Sequence, residues 1–214
     1  LAEKGNDMTT YQIGIKKCQN CGCESAVMTV ATCNTIDAKF YSDGFLIGPM
    51  YTDVKALFTC PACNKYFWQM STRKSMPATE YFRDAKRRAL PEAKPVYGPL
   101  YEDALHQAPW KTSAQEKYLR IRAWWSFNSA YRGKVTKKFI ISPEQETNLL
   151  RLLQLLDANN PDESIMKAEI FRELGHFDEC LKQLDQPVDD KYRMIVDTIK
   201  KLATCKKRQV VTIF

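Results

Sequence analysis

Cys18-Gln-Asn-Cys21-Gly22 and Cys60-Pro-Ala-Cys63-Asn64 decide how the N-terminal part of this chain folds. Each is a C-x-x-C turn. The residue after each turn, Gly22 or Asn64, is of a type that tolerates the left-handed backbone such turns often need. Two turns that each present two sulfurs suit a tetrahedral thiolate site, so Cys18, Cys21, Cys60 and Cys63 are the expected ligands of one structural Zn2+ per chain. Four thiolates fill the coordination sphere, which assigns the ion to folding and leaves no position for substrate or water. The competing reading is redox, because Cys60-Pro-Ala-Cys63 has the form of a thiol oxidoreductase motif. Such a motif opens a helix, whereas here a partner C-x-x-C and an aromatic stretch surround it. Cys23 and Cys33 are further thiols near the pairs, each either a substitute ligand or a packed or free side chain.

Outward from the cysteines the sequence reads as strand. Ser25 to Thr32 is rich in β-branched residues, as is part of Val54 to Thr59, and Phe45 to Ile47 is a candidate short strand between the turn signals Ser42-Asp-Gly44 and Gly48-Pro49. After about Ser71 the pattern becomes helical. Ala78 to Leu90 predicts a helix, and Pro91, Pro95 and Pro99 then predict a connector. Ser113-Ala-Gln-Glu116 has capping-box spacing and opens a helix expected to reach about Tyr131. Ser142-Pro-Glu-Gln145 opens a second, with proline at its first position and a leucine-rich face behind it. Helices over 162–174, 177–185 and 189–204 follow, with Gly175 as the cap between the first two, and Val210 to Phe214 is strand-like. The fold class is therefore α+β: a small N-terminal zinc-ribbon β domain followed by an all-α helical domain. The expected boundaries are 1–10 leader or linker, 11–70 ribbon, 71–111 connector with helices, 112–209 helical domain and 210–214 tail.

A chain of 214 residues with 44% apolar residues can bury an ordinary core, and no apolar run reaches the roughly 20 residues that span a bilayer. Cysteines paired for metal without an export signal point to the cytoplasm. The formal charge of +7 counts the cysteines as neutral; four thiolates and a divalent ion lower it by two. The remaining balance favours acidic partners without specifying nucleic acid. Glu3-Lys4-Gly5 is codable by a purine-rich ribosome-binding sequence ahead of Met8. Met8 then reads as the native start, Leu1 to Asp7 as translated leader, and the gene as bacterial and tightly packed in an operon.

No phosphate loop, nucleophile elbow or His-Glu helix motif occurs, and the two histidines, His106 and His176, fall at helix ends, so no enzyme is expected. Arg120, Arg122, Trp124, Trp125, Phe127 and Tyr131 combine cations with aromatics suited to stacking on single-stranded nucleic acid. Trp124, Phe127 and Tyr131 nevertheless share one helical face, which favours core packing.

Ala168 to Leu181 resembles the helix-turn-helix of a tetratricopeptide repeat. Ala168 and Cys180 stand where that repeat uses small residues, Gly175 is in the turn, and Phe177 takes the aromatic place. Pro187 cuts the second helix short, and no further copy is evident. With Asp43-Gly44, Pro49-Met50, Phe67-Trp68, Arg122-Ala-Trp-Trp125, Asn148-Leu-Leu150 and Arg172-Glu-Leu-Gly175, the chain resembles an uncharacterised bacterial family that joins a zinc ribbon to a tetratricopeptide-like helical domain. The resemblance implies a fold and no activity. The expected function is a non-enzymatic protein-binding module, in its narrowest form an immunity (antitoxin-like) protein that blocks a toxin encoded by a neighbouring gene. The alternative is a zinc-ribbon nucleic-acid-binding protein.

Overall fold

The computed structural model describes residues 10–69, 75–133, 138–186 and 188–214. The leader and start-site reading, the 70/71 boundary and Pro187 lie outside the described residues. Strand β1 (Thr10–Lys17) pairs antiparallel with β2 (Glu24–Thr32), in a register running from Thr10↔Thr32 to Lys17↔Glu24. Next in the chain come β3 (Lys39–Phe40) and β4 (Leu46–Ile47), which pair with each other. Then β5 (Leu57–Thr59) and β6 (Tyr66–Trp68) form a second antiparallel hairpin. β7 (Ser75–Pro77) adds to the free edge of β1, and β8 (Lys94–Pro95) to the free edge of β5. Of the expected strand over 54–59, the last three residues form β5, and Ala56 C=O extends the hairpin by accepting from Gln69 N–H at 2.8 Å.

The expected helix over 78–90 is two single turns, α1 (Ala78–Tyr81) and α2 (Ala85–Arg88). Asp84 is the reason for the break. Its carboxylate accepts the N–H groups of Lys86 and Arg87 at 2.9 and 3.2 Å and so starts a new helix where the pattern predicts a continuing one.

Six longer helices follow: α3 (Leu100–Gln107), α4 (Ser113–Ser129), α5 (Pro143–Leu155), α6 (Pro161–Leu174), α7 (Phe177–Gln183) and α8 (Asp190–Thr204). The cap of α4 sits one residue earlier than expected. Thr112 accepts from Gln115 N–H at 3.2 Å, and the Gln115 side chain accepts from Lys111 N–H at 2.7 Å. Ser142 caps α5 through Gln145 N–H at 3.3 Å, with Pro143 first in the helix. Gly175, at φ +90°, ends α6 in the left-handed conformation that glycine adopts without strain.

Two compact units result: the described residues of Leu1–Ala38 with Ile47–Val96, and Lys39–Leu46 with Tyr97–Phe214. The first is a small antiparallel β region and the second is helical, an α+β arrangement. In the helical unit, Trp124, Leu149, Leu152, Leu156 and Ile170 make one core cluster. Ile165, Ala168, Cys180, Leu184, Ile195 and Ile199 belong to another, shared by α6, α7 and α8. Among the described residues no helix is long and apolar enough to cross a membrane.

Candidate metal centre

The two C-x-x-C turns are the tips of the two hairpins. β1 ends at Lys17 and β2 begins at Glu24, so Cys18 and Cys21 sit in the first tip; β5 ends at Thr59 and β6 begins at Tyr66, so Cys60 and Cys63 sit in the second. The tips are built alike. Cys18 N–H donates to Cys23 C=O at 2.8 Å and Gly22 N–H to Cys18 C=O at 2.9 Å. In the other tip Cys60 N–H donates to Lys65 C=O and Asn64 N–H to Cys60 C=O, both at 3.0 Å. Gly22 and Asn64 occupy equivalent places with φ +75° and +56°, the left-handed geometry expected of them. Asn20 Nδ2 donates to Tyr66 C=O at 3.1 Å and ties one hairpin to the other.

This arrangement brings the four sulfurs within 4.8 Å of one another, with Cys18 and Cys63 Sγ 3.9 Å apart and Cys21 and Cys60 Sγ 3.6 Å apart. A disulfide requires about 2.05 Å; all four cysteines are free thiols. Tetrahedral ligands about 2.3 Å from an ion lie about 3.8 Å from each other, close to the 3.9 and 3.6 Å of these two pairs. These residues therefore make a site that can hold a metal ion.

The surrounding chemistry agrees. Burial would raise the Cys60 thiol, but the backbone N–H groups of Cys63 and Ala62 and the adjoining thiols bring it down to about 6. Cys21, although helped by the Cys23 backbone, is pushed up to about 12 by desolvation and by Cys63, Cys60 and Cys18. Four sulfurs this close do not all ionise without a cation among them. Cys18 and Cys60 are buried in a core that otherwise consists of Val27, Phe58, Phe67 and Ala93, and Cys23 packs against it half-buried. Cys23 is thus beside the site and outside the set of four, and Cys33 is exposed.

In the helical unit the aromatic helix is engaged internally. Trp124 is wholly buried, Arg120 bonds Glu116 at 2.9 Å and lies over Trp110, and Arg122 is flanked by the rings of Tyr118 and Trp125.

A buried charge network escaped motif reading. Asp43, Glu169, Arg172 and Glu173 have no exposed surface. Arg172 Nε donates to Glu169 at 2.7 Å, and its guanidinium also reaches the Gln209 carbonyl at 3.2 Å. Arg132 pairs with Asp43. Asn128 Nδ2 donates to Asp43 at 2.9 Å and to Glu173 at 2.8 Å. The signal present in the sequence was Glu169, Arg172 and Glu173 at i, i+3 and i+4 among apolar neighbours, which puts charge on a face that must be covered. Asp43 gave none, since apart from the local Phe45 N–H its partners, Asn128 and Arg132, lie more than 80 positions away.

Compared with known proteins, the chain matches no family model, no curated protein and no solved structure.

Proposed function

We propose that this chain is a non-enzymatic protein-binding module: a zinc ribbon that scaffolds the N-terminal unit, and a tetratricopeptide-like helical unit that holds the partner. The observation that carries the reading is a groove of about 360 Å³ in the helical unit between the N-terminal halves of α6 and α8, lined by Phe40, Ile165, Met166, Ile195 and Ile213. Met194 and Phe214, 58% and 65% exposed, stand at its mouth. Flexible methionines with aromatics suit an apolar side chain presented by another protein, and Asp162 and Lys191 add one charge of each sign to the lining.

Zinc is favoured for the metal centre because closed four-thiolate tetrahedral sites are a standard structural zinc set and because the small core around Cys18 and Cys60 needs a staple. Cys18, Cys21, Cys60 and Cys63 would hold the ion, and its contribution would be folding energy. The tetratricopeptide-like reading of α6 and α7 is supported by Ala168 and Cys180, both wholly buried in one cluster, and by the left-handed Gly175 between the helices. It carries the resemblance to the bacterial family described above. In its narrowest form the proposal makes the chain a cytoplasmic immunity protein whose partner is a toxin encoded by a neighbouring gene.

Co-expression with the neighbouring gene product followed by size-exclusion chromatography tests this. A complex that co-elutes with wild type and is lost with Met194→Lys supports the proposal. Separate elution, or a complex indifferent to Met194→Lys and to other charges placed in the groove, contradicts it.

A further inference from the structure

Val210-Val-Thr-Ile-Phe214 is a β-branched run that, among the described residues, is bonded along one edge. It lies antiparallel to 40–42, with Tyr41 opposite Thr212. Ser42 N–H donates to Val211 C=O at 2.9 Å, Ile213 N–H to Phe40 C=O at 2.7 Å, and Phe40 N–H to Phe214 C=O at 3.0 Å. Tyr41 and Thr212 are therefore a non-hydrogen-bonded pair, and the N–H and C=O of Thr212 point away from the strand already formed. Among the described residues nothing bonds them, and Thr212 is exposed. An open groove of about 540 Å³ lies along this segment. It is lined by Val210, Val211, Thr212 and Phe139, with Lys206, Lys207 and Arg208 beside them.

Lys206 and Lys207 are exposed, and Arg208 is held in place by donating to Glu173 C=O at 2.6 Å. Lys206 also stands at φ +52°. It closes α8 in a motif where Lys206 N–H reaches Ala203 C=O and Lys207 N–H reaches Leu202 C=O, both at 2.9 Å. Glycine is the usual residue at that position, so a lysine there is kept at a cost to the fold.

We propose that this edge is the docking site for an extended acidic segment of a partner protein, which adds as a strand at Thr212 with its carboxylates against Lys206, Lys207 and Arg208. An unpaired strand edge is a template for another strand. The three adjacent cations choose among occupants: they repel the same edge of a second copy and attract acidic residues. This inference names the class of partner and rests on the protein-binding reading.

The test is to pan the full chain against a random peptide display library, with Thr212→Pro as the counter-selector. Proline removes the outward N–H and leaves Val211 C=O and Ile213 N–H in their existing bonds. Selected peptides should be acidic and β-branched without helical periodicity, and they should protect the Thr212 amide from hydrogen exchange. Their affinity should fall with salt, and Lys206→Glu and Thr212→Pro should each weaken them about tenfold, the size expected for losing one charge-assisted or backbone bond.

Helical or basic selected sequences, no selection at all, or an unprotected Thr212 amide would overturn the proposal. So would preferential binding of oligothymidylate, or self-association that Thr212→Pro abolishes. Should Thr212→Pro fail to fold, peptides N-methylated at alternate amides, in both registers, make the same distinction from the ligand side: at least one register must lose binding. The Met194→Lys experiment reads the other groove, so failure here leaves the broader proposal standing, and failure there with peptides selected here would support this edge and overturn the groove between α6 and α8 as the partner's site.

Discussion

The indole N–H of Trp124 donates to the carboxylate of Glu173 at 2.8 Å, and neither side chain has any exposed surface. Asn128 supplies the second donor to that carboxylate. Burial, and then the charge of Glu169, push Glu173 well above the usual carboxylate range, while Arg172 and the Trp124 bond pull in the other direction. The neutral acid is thus the form the fold prefers.

That preference fixes a pH dependence. A carboxyl group whose pKa is raised on folding contributes stability fully below its unfolded pKa, and the contribution is lost as pH rises through the folded value. Glu173→Gln cannot ionise, so its urea midpoint should fall less than that of wild type as pH rises from the ordinary carboxylate range upward. Parallel midpoint curves would assign the loss to another group.

Asp43 is held by Arg132, by Asn128 and by Phe45 N–H at 3.1 Å. Removing one partner of a buried pair leaves the other charge without compensation. Asp43→Ala should therefore cost about 3–5 kcal/mol in chemical denaturation, and Asp43→Asn less, because it keeps an acceptor. Equal, small losses in both variants would mean that the pair is solvated.

Lys206→Gly should raise stability by about 1 kcal/mol, since only the side chain is strained in the left-handed conformation. Thermal unfolding reads this directly. A lower midpoint would show that the lysine side chain makes contacts that outweigh the backbone cost.

Legibility from sequence followed the range of the interactions. The cysteine turns were readable because residue type, spacing and the left-handed Gly22 and Asn64 are all local. So were Gly175 and the Ser142–Pro143 start of α5. The break at Asp84 was missed although local, because an aspartate inside a helical pattern reads equally as a solvated side chain; only its two backbone bonds reveal a cap. Strand β1 was assigned to the ribbon without being recognised as a strand, since Gly14 and two terminal lysines dilute its pattern, and β2 and β7 complete it by pairing along both edges. Asp43 and the pairing of Thr212 with Tyr41 depend on partners far along the chain, which periodicity does not register.

Gly22 carries the second half of the metal-turn argument. At φ +75°, Gly22→Ala should strain the first tip by about 1 kcal/mol and shift zinc competition with a chromogenic chelator toward the chelator, whereas Gly22→Asn, the residue type found at position 64, should retain more affinity. Identical competition curves for Ala and Gly would remove the backbone requirement.

The central claim is that four thiolates hold one ion and that this ion organises the N-terminal unit. Native mass spectrometry of the full chain, purified without chelator, measures it most directly. The account predicts the mass of the chain plus one zinc ion less two protons, since a divalent ion replaces two protons at fixed charge, and its replacement by metal-free ions of higher charge state when Cys60→Ser is introduced. A metal-free folded chain, or one whose mass reveals a disulfide, would contradict it.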